Sequence, residues 1–589
     1  MWALPLGATL LCLALRLPGL MKLPIFCDES IYLRYAQLIH RAPLANAFVS
    51  LVDPKPPLHY WLLASLFDLT ADPLLSARLL SVIAGLASVL IVIPLCGELR
   101  ALSRPDDAGM ERRPAALGLD GFAASACLLF LTCPFFAFYQ RMALAESLLI
   151  VETLWIAWLG LRLARGVAQG ASLSATLCRS LALGLAMGLA LLTKQVYSYM
   201  MLGIPIAARA VWRSGLLHRR RAAALWRSWL LSYVLALLLF SPILFVTRGP
   251  GLRDRLFFRA THGSFGGGIG LHARLVRDNL LYLFVPTVID RVPASVLDEG
   301  FQAPADAGWL WIYLTPPVYL VSLGGFAALA WRRELRILGF LIAWAVLMLL
   351  PFIPFAATAV SRYALLAVPP LLLAGAYLLD VAIEGLGARL RQHRLRSLTV
   401  ASLALLLIAW PAWSIALQDF SPQRQALTRS DRWQYVSGWP AGLASRRAVD
   451  SLREISKREP IVVITSSLPG TPNHVLWVYL EGEPNVSRYF VLWGIGSPIL
   501  ISPPEAPDRL LLLSNFGADM FRRELVAVPP GVPILFVAID PYPGGAGPAI
   551  PAETVLRPHN PELREVARFS NPPMGLPHAP DSVVIYRLR

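Results

Sequence analysis

The stretch WALPLGATLLCLALRLPGL (2–20) is apolar throughout except for Arg16, has no basic segment ahead of it, and runs into KLPIFCDE (22–29). A secretory leader would carry a basic start and end at small residues, so this run is expected to remain as a membrane helix. A bilayer core of about 30 Å needs roughly 20 apolar residues per helix. Working outward on that rule, further runs bounded by charge, Pro or Gly fall at about 76–96, 118–138, 144–161, 180–193, 199–212, 228–246, 308–330, 337–357, 364–383 and 397–416. The pair 180–193 and 199–212 is short and reads either as one broken helix or as two that meet at the membrane surface.

Composition agrees with this pattern. Of 589 residues, 56% are hydrophobic and 15% charged, too apolar for an aqueous fold and so exclusive of a soluble enzyme. The excess of 53 Lys+Arg over 37 Asp+Glu gives +16, but its arginines sit between apolar runs, which points to membrane topology and not to nucleic acid. Cys12, Cys27, Cys96, Cys127, Cys133 and Cys178 form neither a disulfide framework nor a CxxC metal site.

Alternate loops collect the arginines: Arg100 to Arg113, Arg162 to Arg179, Arg213 to Arg227, Arg332 to Arg336 and Arg389 to Arg396. The positive-inside rule makes those loops cytoplasmic. Loops 21–75, 139–143, 194–198, 247–307 and 358–363 then face outward. An odd number of spans also puts everything after residue 416 outside. That tail changes character, with β-rich runs PIVVIT (460–465), VSRYFVL (486–492), VPILFVAID (532–540) and SVVIYRL (582–588) and a helical stretch near 441–457. The expected architecture is a polytopic α-helical membrane domain, residues 1–416, followed by an extracytoplasmic α/β domain, residues 417–589.

Charge is scarce, so the outward loops that carry it attract attention. Asp28-Glu29 opens IYLRYAQLIH, whose Ile31, Tyr35, Leu38 and Ile39 share one face of an interfacial amphipathic helix. Carboxylates at that position also serve as a helix cap. DPKPPLHYWLLA (53–64) leaves Lys55 before a helix; YQRMALAE (139–146) carries Arg141 and Glu146; TKQVYSY (193–199) carries Lys194; SRYALLAVPP (361–370) carries Arg362 and Tyr363. Taken singly, each also reads as a snorkelling anchor or a structural ion pair. Loop 247–307 holds Arg255, Arg259 and His262 beside GSFGGGIG (263–270), a pattern that suits a lid over an anionic ligand and equally a flexible connector. As a set on one membrane face, the carboxylates suit proton abstraction and the cations suit a phosphate.

The order DE, KPPLHYWL, RMALAESL, LTKQ and SRYALLAVPP resembles the GT-C fold integral-membrane glycosyltransferases, in particular the branch of protein O-mannosyltransferases and lipid A aminoarabinose transferase. The resemblance covers roughly residues 20–375, and DRWQYVSGWPAG (431–442) is similar to a segment of bacterial members that carry an outward C-terminal domain. It implies a polyprenyl-phosphate sugar donor, with Asp28 matching the acidic residue that acts as base or orients the acceptor. Two departures bear on the pocket: Glu146 stands where Asp is common, and LTKQ lacks the usual glycine after lysine.

The residues make a chemical case of their own. An acceptor hydroxyl attacking an anomeric carbon loses its proton to a carboxylate within reach, and Asp28 is the candidate, with Glu29 and Glu146 beside it. A phosphate leaving group needs cations more than an acid, and Lys55, Arg141, Lys194 and Arg362 supply them, with Tyr363 adjoining. One displacement inverts the anomeric centre. No cofactor is expected, and a divalent metal is not required although the three acids are able to bind one. The expected partners are a polyprenyl-phosphate-sugar donor, membrane lipids and an acceptor of unknown class, with no nucleic acid. The setting is a multi-pass protein of a bacterial plasma membrane. The competing reading is a transporter or lipid flippase, which would place its ionisable groups near the bilayer midplane.

Overall fold

The apolar runs become helices wherever no proline pair or charged break interrupts them. The computed structural model describes residues 2–53, 55–103, 121–213, 219–246, 269–284, 288–289, 305–306, 308–354, 361–389, 393–466, 470–491, 509–515, 521–527, 531–540, 551–557, 562–572 and 582–588. Among the described residues, six helices are long and apolar enough to cross a membrane: Pro73–Ser103, Glu146–Ala168, Leu173–Thr193, Trp226–Val246, Ser361–Leu386 and Ser397–Phe420. Shorter apolar helices occupy Ala3–Arg16, Gly121–Thr132, Pro316–Trp331 and Leu335–Leu349. The chain is a multi-pass integral membrane protein.

Three runs depart from expectation; one of them, 118–138, breaks at Cys133 into helices Gly121–Thr132 and Pro134–Tyr139. Residues 199–212 form no span of their own but the short helices Gln195–Met201 and Ile204–Arg213. Ten residues rise about 15 Å, half a bilayer core. Run 308–330 is split at Thr315 (φ 68°, ψ 149°) between helices Trp309–Leu314 and Pro316–Trp331. Proline at 316 drives its predecessor out of the helical region and then starts the next helix well, because its missing N–H would have no partner there.

Within the bundle the helices differ in exposure. In Glu146–Ala168, 72% of the apolar window is buried, against 28% in Trp226–Val246 and 22% in Ser397–Phe420, so the first is central and the other two present broad apolar faces to lipid. Backbones approach closely between Pro316–Trp331 and Val368–Arg389, where a Cβ on Gly325 would fall 2.0 Å from the Ala374 carbonyl oxygen. Only glycine permits that approach, as is usual where membrane helices pack on small residues.

Beyond Phe420 lies a five-stranded sheet in the order Val486–Val491, Ile461–Ser466, Ile534–Asp540, Ser582–Arg587, Arg564–Ser570. The first three strands run parallel, and the last two pair antiparallel. Arg564–Ser570 is an edge strand whose polar, largely exposed residues hide it in the sequence. Helices Leu443–Ser456 and Asn473–Leu480 accompany the sheet. Asn473–Leu480 packs on helix Cys27–Arg41. There the Arg34 guanidinium stacks 4.6 Å from the Trp477 ring, and Glu481 pairs with both Arg34 and Arg41. Gly442 (φ 74°) lies so close that a Cβ would sit 1.9 Å from the Ile25 carbonyl oxygen. The amphipathic helix expected at the membrane surface is therefore covered in part by the chain's own C-terminal portion.

Candidate active site

At the start of helix Cys27–Arg41 the Phe26 N–H donates to Glu29 Oε2 at 2.9 Å. Arg78 donates to both oxygens of the same carboxylate, Nε to Oε1 at 2.9 Å and Nη2 to Oε2 at 2.7 Å, while the Ala143 N–H donates to Oε1 at 2.7 Å. The guanidinium also reaches the carbonyls of Leu20, Leu23 and Pro24, each at 2.8 Å. Both side chains of the Glu29–Arg78 pair are 0% exposed, so their charges are satisfied entirely within the protein. They tie three chain segments together at the start of the helix.

Asp28 is one residue earlier and, as consecutive helical residues do not share a face, it points elsewhere. Its carboxylate is 20% exposed and accepts from Arg362 Nη1 at 2.7 Å. Burial works against its ionisation, but Arg362, Lys55 and Lys194 outweigh that and hold Asp28 below the usual carboxylate range. Lys55 Nζ lies 2.7 Å from Asp53 Oδ2 and 4.9 Å from the centre of the Tyr32 ring. Burial would discharge Lys55, yet Tyr60, Asp28 and Asp53 push its pKa up, so it stays an ammonium.

Glu146 opens helix Glu146–Ala168, where the helix dipole favours a carboxylate. Its Oε1 accepts from Lys194 Nζ at 2.7 Å and lies 3.9 Å from Arg362 Nε. Lys194 is delivered by a break in the backbone: it is extended (φ −164°, ψ 117°) between helices Leu173–Thr193 and Gln195–Met201. The Tyr363 ring lies 5.7 Å from Lys194 Nζ and 6.0 Å from the Arg362 guanidinium carbon. Asp28, Lys55, Glu146, Lys194, Arg362 and Tyr363 thus form one partly buried group of alternating charge. Glu146 Oε2 and Arg362 Nε, both buried, have no hydrogen-bond partner among the described residues. Orphaned groups of opposite sign in one site are what a polar ligand would satisfy.

Arg141 keeps other company. It bonds Asp419, Gln418 Oε1 at 3.0 Å and the Pro18 carbonyl, fastening the end of helix His393–Phe420 to the end of the first helix. Arg255, Arg259 and His262 lie outside the described residues. Among the described residues, no three His, Cys, Asp or Glu gather as metal ligands. The two carboxylates facing the site, Asp28 and Glu146, are each engaged by a cation. A cavity of about 670 Å³ in the C-terminal portion, lined by Arg447, Asp450 and Lys457 among others, contains none of these residues.

Two neighbours were not evident from the sequence. His59 is buried, with Nε2 3.4 Å from the Ala143 carbonyl and Nδ1 without a partner among the described residues. Burial pushes its pKa down to about 4, so it is neutral. Its place inside the KPPLHYWL block was the only signal. Asp431, in the DRWQYVSGWPAG segment, is buried and accepts from the hydroxyls of Tyr313 and Ser361, the latter preceding Arg362 in the chain.

Comparison with known proteins supports the fold. No protein-family model matches the chain, and no curated protein matches it by sequence. The crystal structure of ArnT from Cupriavidus metallidurans in the apo state is similar with a TM-score of 0.52 at 14% identity, over 98% of this chain and 96% of that one. The same protein bound to undecaprenyl phosphate gives a TM-score of 0.51 at 14% identity, over 99% and 96%. At that identity the likeness is one of fold: the GT-C architecture implied by the sequence motifs is the architecture of this chain.

Proposed function

We propose that this protein transfers a hexosyl or pentosyl unit from a polyprenyl-phosphate-linked donor to an acceptor hydroxyl on a protein, lipid or glycan, at the outer face of the membrane. The observation that carries this reading is the Asp28–Arg362 pair set beside Lys55 and Glu146–Lys194. ArnT, whose fold this chain shares, has been crystallised with undecaprenyl phosphate, which supports a lipid phosphate here.

In this reading residues 1–416 form the transferase domain and 417–589 an extracytoplasmic domain. The donor phosphate displaces carboxylates from Lys55 and Arg362 and joins Glu146 on Lys194, and the three cations oppose the negative charge that grows on it as the glycosidic bond breaks. Arg362 suits that exchange because its planar fork presents several N–H groups and its Nε is unpartnered. Asp28, released from Arg362, accepts the proton of the attacking hydroxyl as the new bond forms on the opposite face of the sugar, inverting the anomeric carbon. Glu146 keeps Lys194 charged and oriented. Glu29 positions Asp28 and does not itself react, since each of its oxygens already accepts two hydrogen bonds. Arg141 belongs to the frame. No metal is needed when three cations already face the phosphate.

The test is turnover by the purified full-length protein of a panel of polyprenyl-phosphate sugars, read as release of polyprenyl phosphate by mass spectrometry, together with native mass spectrometry of polyprenyl phosphate binding. Wild-type protein that neither binds the lipid phosphate nor consumes any donor would overturn the proposal.

A further inference from the structure

The segment that follows the last long helix returns to the site, and its polar atoms meet the residue beside Arg362. Asp431 is 1% exposed and its Oδ2 accepts from two hydroxyls, those of Tyr313 and Ser361. Thr428 braces it from the same segment, its Oγ1 accepting the Asp431 N–H at 3.2 Å. Ser361 is the first residue of the 3-10 turn Ser361–Ala367, and the next residue, Arg362, reaches Asp28. The Tyr139 hydroxyl lies 3.2 Å from Ser361 Oγ and 3.3 Å from the Tyr435 hydroxyl. Tyr435, one helical turn beyond Asp431, packs its ring 4.6 Å from that of Phe26, the residue that caps the Asp28 helix. One short segment therefore touches Ser361, the residue before Arg362, and Phe26, two residues before Asp28.

We propose that Asp431 is a positioning residue for Arg362: by accepting the Ser361 and Tyr313 hydroxyls it fixes the start of the Ser361–Ala367 turn, and so the direction in which the guanidinium meets Asp28 and the donor phosphate. The proposal rests on the transfer reading above. An enclosed carboxylate is costly unless hydrogen-bonded, and Asp431 Oδ2 meets that cost through the Tyr313 and Ser361 hydroxyls. Desolvation indeed pushes the Asp431 carboxyl up, and the hydroxyls and Arg362 offset part of that. What the site gains is a fixed turn: Ser361 Oγ bonds across to a different segment and holds the residue ahead of Arg362.

Hydrogen bonding predicts an ordering that loss of fold does not. Asp431→Asn retains an acceptor oxygen, whereas Asp431→Ala removes both bonds, and bonds of this kind to a charged group are worth about 1.5–3 kcal/mol, tenfold or more in an equilibrium. The experiment uses the full chain in nanodiscs, with polyprenyl phosphate affinity and hydrogen exchange of the 361–367 amides measured in parallel. Asp431→Ala and Ser361→Ala are each expected to weaken lipid binding and speed exchange by about tenfold, with no further loss in the double variant. Asp431→Asn is expected to stay within about threefold of wild type, as a retained acceptor allows. Unchanged exchange in the alanine variants overturns the proposal, and so does faster exchange with wild-type lipid affinity. If Asp431→Ala does not fold, Ser361→Ala decides by the same two readings. If wild-type protein fails to bind polyprenyl phosphate, the transfer reading falls, and the exchange ordering alone then upholds or overturns the turn-fixing role.

Discussion

Adjacent carboxylates at the start of one helix should fail in opposite ways when neutralised. Asp28→Asn preserves volume and can still accept from Arg362, and the guanidinium retains Glu146 at 3.9 Å, so the fold should survive. What disappears is the proton acceptor, a loss of about 10²-fold or more in turnover. Glu29→Gln is the reverse. Arg78 is 0% exposed and Glu29 is its only carboxylate partner among the described residues, so the substitution leaves a buried guanidinium without a counter-charge. The new amide also turns donor against donor at Arg78, at the Ala143 N–H or at the Phe26 N–H, since the carboxylate used both oxygens on all three. Breaking a buried pair in this way costs about 3–5 kcal/mol, a large share of the stability of any domain. The assay is thermal unfolding of detergent-solubilised protein beside donor turnover per folded molecule. Near-normal turnover in Asp28→Asn would remove it as the base. A wild-type unfolding midpoint in Glu29→Gln would refute the account of that residue as a buried tie.

Arg362→Lys and Lys55→Ala should lower affinity for polyprenyl phosphate while Arg332→Ala leaves it unchanged, because lysine keeps the charge but loses the fork; equal binding by all three, read by native mass spectrometry, would reduce these cations to anchors. Arg141→Ala should lower the unfolding midpoint with little effect on lipid affinity, since its partners are Asp419, Gln418 and Pro18; a selective loss of affinity would return it to the phosphate site. The Asp28 carboxyl sits below its unfolded value of about 3.9, so the pair's contribution is present above that pH and fades as pH falls through the depressed value. Between neutral pH and the Asp28 titration range, the wild-type unfolding midpoint should therefore fall further than that of Asp28→Asn; parallel curves would contradict the pairing. Protease added outside intact cells or spheroplasts should remove residues after 420 and spare the Arg219–Arg221 segment, and a protected C-terminal portion would reverse the proposed orientation.

Much of the architecture is written in the order of residues alone. Long apolar runs leave the chain no choice but helices that bury their backbone bonds in lipid, so the spans are legible without any tertiary contact. Because charge is rare in such a chain, Asp28, Lys55, Glu146, Lys194 and Arg362 stood out before their spacing was known. Which of two neighbouring acids is locked and which faces the site depended on the hundred-degree step between helical residues and on the arrival of Arg78 from another helix. Arg141 and Arg362 look alike in sequence, and only the end of helix His393–Phe420 draws the first away. Asp431 reaches the site from a segment 69 residues beyond Arg362, through hydroxyls on two other elements. Local pattern carries the helices because their hydrogen bonds are local. The site is assembled from ion pairs between distant segments, and those exist only once the helices have packed.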